Sequence, residues 1–258
     1  MAELSETTRM GIHSAADILR SSKSAVVLSG AGISTASGIP DFRSTDGGLW
    51  QRYDPFEVAS LSSFRYHPER FFDWMHSLAL NIYGAQPNVA HYGLASLEQA
   101  GYLKTIITQN IDALHQRAGS RQVIEIHGSL QSLTCVRCYT QYPASQYLPT
   151  YLEQKQIPYC PECGGVLKPN LVLFGEQLPS QAWLAAMQAS KTCDLMIVIG
   201  SSLEVLPVAG LPMRAVENGA HLILINRNPT YIDVRADVVF HEDLTEIIPR
   251  LVAEVVGE

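Results

Sequence analysis

The 258 residues hold no uninterrupted apolar run long enough to span a bilayer, which excludes an integral helical membrane protein. The opening Met1-Ala2-Glu3-Leu4-Ser5-Glu6 lacks a basic start and a following apolar core, so no secretory leader is expected there. Charged residues make up only 17%, with no charge blocks, low-complexity tracts or internal repeats, which sets aside disordered tails and repeat arrays. Lys and Arg number 18 against 25 Asp and Glu, a net charge of -7. A broad nucleic-acid-binding surface is not expected from that balance, whereas a mildly acidic surface suits cationic partners such as lysine-rich peptides. Cysteine is scarce as well, at five. Four of the five fall in two C-x-x-C pairs, a metal-like spacing that belongs in a reducing, cytoplasmic setting.

What is present is apolar residues, at 47%, enough for a sizeable core in one large domain carrying an insert. Short continuous apolar runs recur at 25–29, 105–108, 123–126, 195–199 and 222–225. Continuity, as opposed to alternation, marks strands buried on both faces of a parallel sheet. Helical spacing appears at 6–20, through Ile12, Ala15, Ala16 and Leu19, and at 88–100, 181–191 and 208–218. A last helical stripe runs from Leu244 to Val255, and Pro249 predicts a start near Glu246, where a first-turn proline is tolerated. Strands alternating with helices predict an α/β fold: a doubly wound parallel (Rossmann-like) sheet.

Two stretches break the alternation. Residues 37–87 are rich in glycine, proline and aromatics and read as a long loop leading into a helical insert. Residues 129–170 carry both C-x-x-C pairs and little periodicity, and read as a metal-held module. The sheet domain is then expected from 1–36, 88–128 and 171–258.

Three signals carry chemistry. Gly30-Ala31-Gly32-Ile33-Ser34 follows the first strand, and Gly200-Ser201-Ser202 follows the run at 195–199. Glycine turns at the carboxyl ends of parallel strands are where such sheets bind a dinucleotide pyrophosphate; the plain alternative for the first is a tight turn that binds nothing. Cys135, Cys138, Cys160 and Cys163 can complete one tetrahedral zinc shell, and four thiolates leave no open position, so the ion would be structural. Two disulfides or a redox pair are the alternatives, and Cys193 reads as an inert core thiol. Lastly, Gln109-Asn110-Ile111-Asp112 and His127-Gly128 follow strands on the same sheet edge. Imidazole is readily poised for proton transfer near neutral pH; the plain alternatives are that Asn110 and Asp112 cap a helix from 113 and that His127 is a satisfied turn residue.

Together these motifs resemble the sirtuin family. The run from Gly30 to Arg43 looks like that family's cofactor loop; 108–112, Leu114-His115, 126–128, both C-x-x-C pairs, 168–176 and 200–205 follow in the family's order. The likeness extends from about residue 10 to about 255 and is nearest the bacterial deacetylase branch. It implies an NAD-dependent protein-lysine deacetylase in which NAD is a co-substrate and one zinc ion is structural. His127, Asn110 and Asp112 would be catalytic, with His127 as general base. Gly30, Ala31, Gly32 and Ser34 would hold the pyrophosphate, and Asp41, Phe42 and Arg43 would close over the nicotinamide ribose. Gln109 and Asn110 would meet that ribose, and Ile111 and Asp112 the carboxamide pocket. Gly200, Ser201, Ser202, Asn226 and Asp243 would surround adenosine, although Asp243 reads equally as a helix cap. Val172, Phe174 and Gly175 would line the acyl-lysine tunnel and pair with the peptide like an added strand.

The resemblance also implies the products: lysine, nicotinamide and O-acyl-ADP-ribose. Relatives that prefer acidic acyl groups carry Tyr-x-x-Arg after the cofactor loop; here those positions fall at Met75 and Leu78, which implies acetyl or longer apolar acyl groups. The expected partners are therefore acetylated or other apolar-acylated lysine proteins, with no direct nucleic-acid or membrane binding. Mono-ADP-ribosyl transfer at the same site is the alternative activity. A zinc-containing binding module is a further alternative, disfavoured because residues 129–170 offer only Arg137, Lys155 and Lys168 as cations.

Overall fold

A computed structural model describes residues 5–44 and 47–257. Met1–Leu4, read above for a leader, lie outside the described residues. The chain runs α1 (Glu6–Ser21), β1 (Ala25–Ser29), α2 (Pro55–Val58), α3 (Leu61–Tyr66), α4 (Pro68–Gly84), α5 (Val89–Gln99), β2 (Leu103–Thr108), α6 (Leu114–Arg117) and β3 (Val123–Glu125). It continues through β4 (Gly128–Cys135), β5 (Gln141–Pro143), α7 (Leu148–Gln154), β6 (Leu167–Leu171), α8 (Ser180–Thr192), β7 (Leu195–Ile199), α9 (Leu211–Glu217), β8 (His221–Ile225), β9 (Val238–Phe240) and α10 (Leu244–Val256).

Six strands form one parallel sheet in the order β3-β2-β1-β7-β8-β9. Alternate residues of β1 show why both faces are apolar. Ala25 and Val27 join the core under α1, α5 and α10, while Val26 and Leu28 join the core under α8 and α9. Full burial of each such valine or leucine is worth about 1.5–3 kcal/mol, so the continuous runs drive the doubly wound arrangement. Strand β9, only three residues long, was not expected; it pairs with β8 at the sheet edge.

The second lobe joins two regions far apart in sequence. Phe64, Phe71, Phe72, Trp74, Met75 and Leu78 from α3 and α4 pack in one apolar cluster with Leu130, Tyr151, Leu171 and Leu173. Strands β5-β4-β6 form a small antiparallel sheet whose core, Leu133, Cys135, Ala144, Cys160 and Leu167, sits beside the cysteines. Residues 129–170 therefore hold more strand structure than their weak periodicity suggested, because these strands are only partly buried and carry polar residues among the apolar ones.

The final helix corrects one expectation: it begins at Leu244, not near Glu246. Asp243 is its N-cap, accepting the Thr245 N–H at 2.8 Å, which satisfies a donor that a later start would leave unpaired. Pro249 thus lies inside the helix, where the missing N–H and ring clash typically cost ~3 kcal/mol. Burial of Ile247, Ile248, Leu251 and Val255 offsets that penalty. Among the described residues, no helix is long and apolar enough to cross a membrane.

Candidate active site

Strand order reverses between β1 and β7, and the loops that leave these two strands meet there. Gly32 donates its N–H to the Gly200 carbonyl at 2.8 Å. A Cβ on Gly32 would lie 2.8 Å from the Gly200 Cα, and one on Gly200, whose φ is +59°, would lie 2.5 Å from the Ile33 nitrogen. Glycine is thus required here for the two loops to touch, a need separate from any ligand. The segment after Gly30 is a 3₁₀ helix, Ala31–Ser37, not the α-helix expected of a dinucleotide turn.

Around this junction opens a cleft of about 1080 Å³. Of the residues singled out from sequence, Gly30, Ala31, Gly32, Asp41, Phe42, Arg43, Gln109, Asn110, Ile111, His127, Val172, Phe174, Gly175, Gly200, Ser201, Ser202, Asn226 and Asp243 line it. Ser34 and Asp112 do not. They are buried beneath it, with the Ser34 hydroxyl donating to Asp112 Oδ2 at 2.7 Å. Asn110 Nδ2 donates to Ser34 Oγ and to the Gly30 carbonyl, both at 3.1 Å, so Asn110, Ser34 and Asp112 form one bonded unit. Asp112 also accepts the Leu114 N–H, but the short helix starts at Leu114 with Ala113 at its N-cap position, so neither Asn110 nor Asp112 is the cap expected of a helix from 113. Burial raises the Asp112 carboxyl above the ordinary range.

His127 is held by its position between strands. Its carbonyl accepts the Val172 N–H at 2.8 Å, and its Nδ1 donates to the Gln109 carbonyl at 3.1 Å. A carbonyl can only accept, so Nδ1 carries the proton and Nε2 keeps its lone pair. Burial lowers the imidazole's pKa, opposed by the Gln109 bond and aided by the Arg43 charge. Next to it, Gly128 has φ +75°, and a Cβ there would meet the Asn170 carbonyl oxygen at 2.0 Å.

Other expected residues are engaged in ways sequence did not indicate. Asn226 uses both ends of its amide on Ser201, accepting the N–H and donating to the carbonyl, each at 2.9 Å. Gln109 Nε2 donates to Ser201 Oγ at 2.8 Å, tying the β2 and β7 loops together. Asp243, by contrast, caps α10 as one of its two readings expected, and it also lines the cleft. Arg43 on the long loop reaches Glu204 at 3.0 Å. In the Val172–Gly175 segment, Phe174 donates to the Ala59 carbonyl and accepts the Leu61 N–H, and the Leu173 N–H goes to Glu176.

Sequence reading missed the aromatic wall. Trp50 stacks on Trp74 with centroids 5.6 Å apart, and Phe42 lies 5.1 Å from Trp50. The density of aromatics in 37–87 was the available signal. Both tryptophans line the cleft, with Trp183.

The cysteines gather elsewhere: none lines the cleft. Their four Sγ atoms lie within 4.8 Å of one another, with Cys135–Cys163 at 3.4 Å and Cys138–Cys160 at 3.6 Å. These separations are too long for disulfides and approach the edge of about 3.8 Å that a tetrahedron with Zn–S of about 2.3 Å requires. Gly165 permits the shape, since a Cβ there would meet Cys135 Sγ at 2.8 Å. The residues fit one structural zinc ion. Cys193 stands apart, buried, with burial raising its thiol pKa to about 11, as an inert core thiol should.

Comparison with known proteins agrees with this geometry. The Sir2 family model matches residues 30–207. The chain is 46% identical over 245 residues to the NAD-dependent protein deacylase 2 of Archaeoglobus fulgidus, covering 95% of this chain and 96% of that one. A solved structure described as a basis for the mechanism and regulation of Sir2 enzymes superposes with a TM-score of 0.92 at 46% identity, covering 96% and 99% of the two chains. Another, a Sir2 mutant with a deacetylated p53 peptide and 3′-O-acetyl ADP-ribose, does so with a TM-score of 0.89 at 40% identity, covering 94% and 98%. With a parallel sheet, paired glycine loops and a four-cysteine module matched along nearly its whole length, this chain belongs to the Sir2 family.

Proposed function

We infer that the chain is an enzyme that removes acyl groups from protein lysines with NAD as co-substrate, yielding nicotinamide and O-acyl-ADP-ribose. The observation that carries this reading is His127. Its imidazole is locked by the Gln109 carbonyl on a wall shared by both glycine loops and by the Val172–Gly175 segment. Bound NAD supplies a glycosidic bond that breaks readily, because nicotinamide leaves as a neutral molecule. The protein's part is alignment and proton transfer.

In this reading Nε2 of His127 is the base that takes a proton from a ribose hydroxyl, and Nδ1 stays on Gln109. Base catalysis of this kind typically contributes about 10²–10⁴-fold. Gly30, Ala31 and Gly32 face the pyrophosphate, while Ser34 and Asp112 act from below by fixing Asn110. Asp41, Phe42 and Arg43 cover the nicotinamide side, where Phe42 keeps water from the reacting carbon. Ile111 lines the carboxamide pocket, and Gln109 and Asn110 meet the ribose. Ser201, Ser202, Gly200, Asn226 and Asp243 take the adenosine side. The acyl-lysine enters past Val172, Phe174 and Gly175, and its acyl end is apolar. Acetylated or other apolar-acylated proteins in the cytoplasm, where thiolates stay reduced, are the proposed substrates.

The test is mass spectrometry of an acetylated peptide incubated with NAD. Deacetylation matched one-to-one by nicotinamide and acetyl-ADP-ribose is the expected result. NAD consumed without acetyl transfer would instead favour ADP-ribosyl transfer, which does not need the tunnel at Val172 and Phe174.

A further inference from the structure

Behind the cleft, between α5, α6 and the ends of β1 and β2, two histidines are wholly buried. His91 and His115 are 0% and 1% exposed, with ring centroids 5.0 Å apart and edge-on. Neither lines the cleft.

Their partners fix their tautomers. His91 Nδ1 receives the backbone N–H of Asn88 at 3.3 Å, and a backbone N–H can only donate, so the His91 proton is on Nε2. At the other end, Ser29 Oγ donates to Thr108 Oγ1 at 2.9 Å and lies 2.9 Å from His115 Nε2. With its own proton given to Thr108, Ser29 must accept from His115, whose proton is then also on Nε2. The two nitrogens left over, His91 Nε2 and His115 Nδ1, are one donor and one acceptor, and both are buried with no hydrogen-bond partner. Thr108 Oγ1 in turn receives the backbone N–H of Asn110 at 3.1 Å. The chain therefore runs one way, from His115 Nε2–H to Ser29 Oγ and from the Ser29 hydroxyl to Thr108 Oγ1, the atom that also receives the Asn110 N–H.

We propose that His115 is a positioning residue: as the neutral Nε2–H tautomer it orients the Ser29 and Thr108 hydroxyls and so holds the Asn110 backbone, on which the side-chain bonds to Gly30 and Ser34 depend. The proposal rests on the reading of Asn110 as part of the NAD site. A charged imidazole would place a second proton on Nδ1, a buried atom with no hydrogen-bond partner to compensate it. Burial keeps both rings neutral, with pKa values lowered to about 3 for His115 and about 4 for His91.

The experiment has two arms on the full chain. Long-range ¹H–¹⁵N correlation spectra of the NAD-free wild type read the tautomer directly, and a neutral Nε2–H His115 at pH 7 is expected. A neutral Nδ1–H or a charged ring would overturn the assignment. Kinetics then compare His115→Leu, which keeps the volume and removes the donor, with His115→Gln, whose amide nitrogen can reach the Ser29 hydroxyl. Small misplacements remote from the chemistry cost up to about 10²-fold, so His115→Leu should lose about 10–100-fold in kcat while the peptide KM stays within about twofold. His115→Gln should recover most of the loss. A folded His115→Leu with wild-type kcat, or equal losses in both variants, would refute positioning. Should His115→Leu fail to fold, the spectra still decide. A wild-type chain that neither deacylates nor consumes NAD would instead overturn the functional reading, and the tautomer result would stand separately.

Discussion

Met75 and Leu78 lie one turn apart on α4 and both line the cleft, 2% and 4% exposed. The family resemblance implies that these are the positions where acid-selective members carry Tyr-x-x-Arg, and residues three apart on a helix share a face. An acidic acyl group would bring a carboxylate against two apolar side chains with no charge to pair, a costly desolvation. Desuccinylation should therefore be negligible beside deacetylation in a peptide panel. Introducing Met75→Tyr with Leu78→Arg should raise desuccinylation and lower deacetylation at least about tenfold, since an unpaired buried guanidinium then faces the acetyl methyl.

His127→Ala should abolish the base while leaving the backbone bond to Val172 intact. Turnover should fall about 10²–10⁴-fold, with zinc content and thermal midpoint near wild type. Because burial lowers the pKa of His127, the acid limb of kcat/KM should have its midpoint below that of an ordinary histidine. A rate profile against pH checks this directly.

Cys135→Ser should behave in the opposite way. Losing one thiolate opens the tetrahedron and leaves the core of Leu133, Ala144 and Leu167 without its cross-link. Metal content and stability should fall together, because metal binding and folding are linked. Elemental analysis with circular dichroism would detect both losses.

Gly200→Ala tests the contact between loops. The new Cβ would press on the Ile33 nitrogen from a left-handed backbone, a conformation that costs about 1–2 kcal/mol for an L-residue. Stability should drop by at least that amount, and NAD affinity measured by calorimetry should drop with it, since the glycine-rich turn after β1 would be pushed away.

The buried histidines predict a pH dependence of stability. Both protonate in the unfolded chain near 6.5 but remain neutral in the fold down to about 4 and about 3. Above pH 6.5 neither state takes up these protons and the pair contributes no pH dependence. As pH falls below 6.5 the unfolded chain binds them first, so stability declines, by up to about 1.4 kcal/mol per pH unit for each histidine. Urea unfolding of His115→Leu should show a slope shallower by about one proton between pH 6 and 4.

The central strands β1, β7 and β8 were legible because they are buried on both faces and so are apolar almost throughout; β1 and β7 were read with the bounds they have. The four cysteines were legible because C-x-x-C spacing already sets the knuckle geometry. The short strands β5 and β9 were not, since three residues carry no period. Nor was the start of α10, where a capping carboxylate and an apolar stripe outweighed a proline.

Residue type and local spacing thus determined by themselves the layer order, the family motifs and the chemistry available at each strand end. Only the tertiary structure decided which of those groups face the cleft and which lie beneath it. Ser34, Asp112, His91 and His115 acquire their neighbours from strands and helices distant in sequence, and Gly32 needs to be glycine because Gly200 passes within van der Waals contact of it. Such requirements arise from the packing of separate segments, a property that no local window of sequence contains.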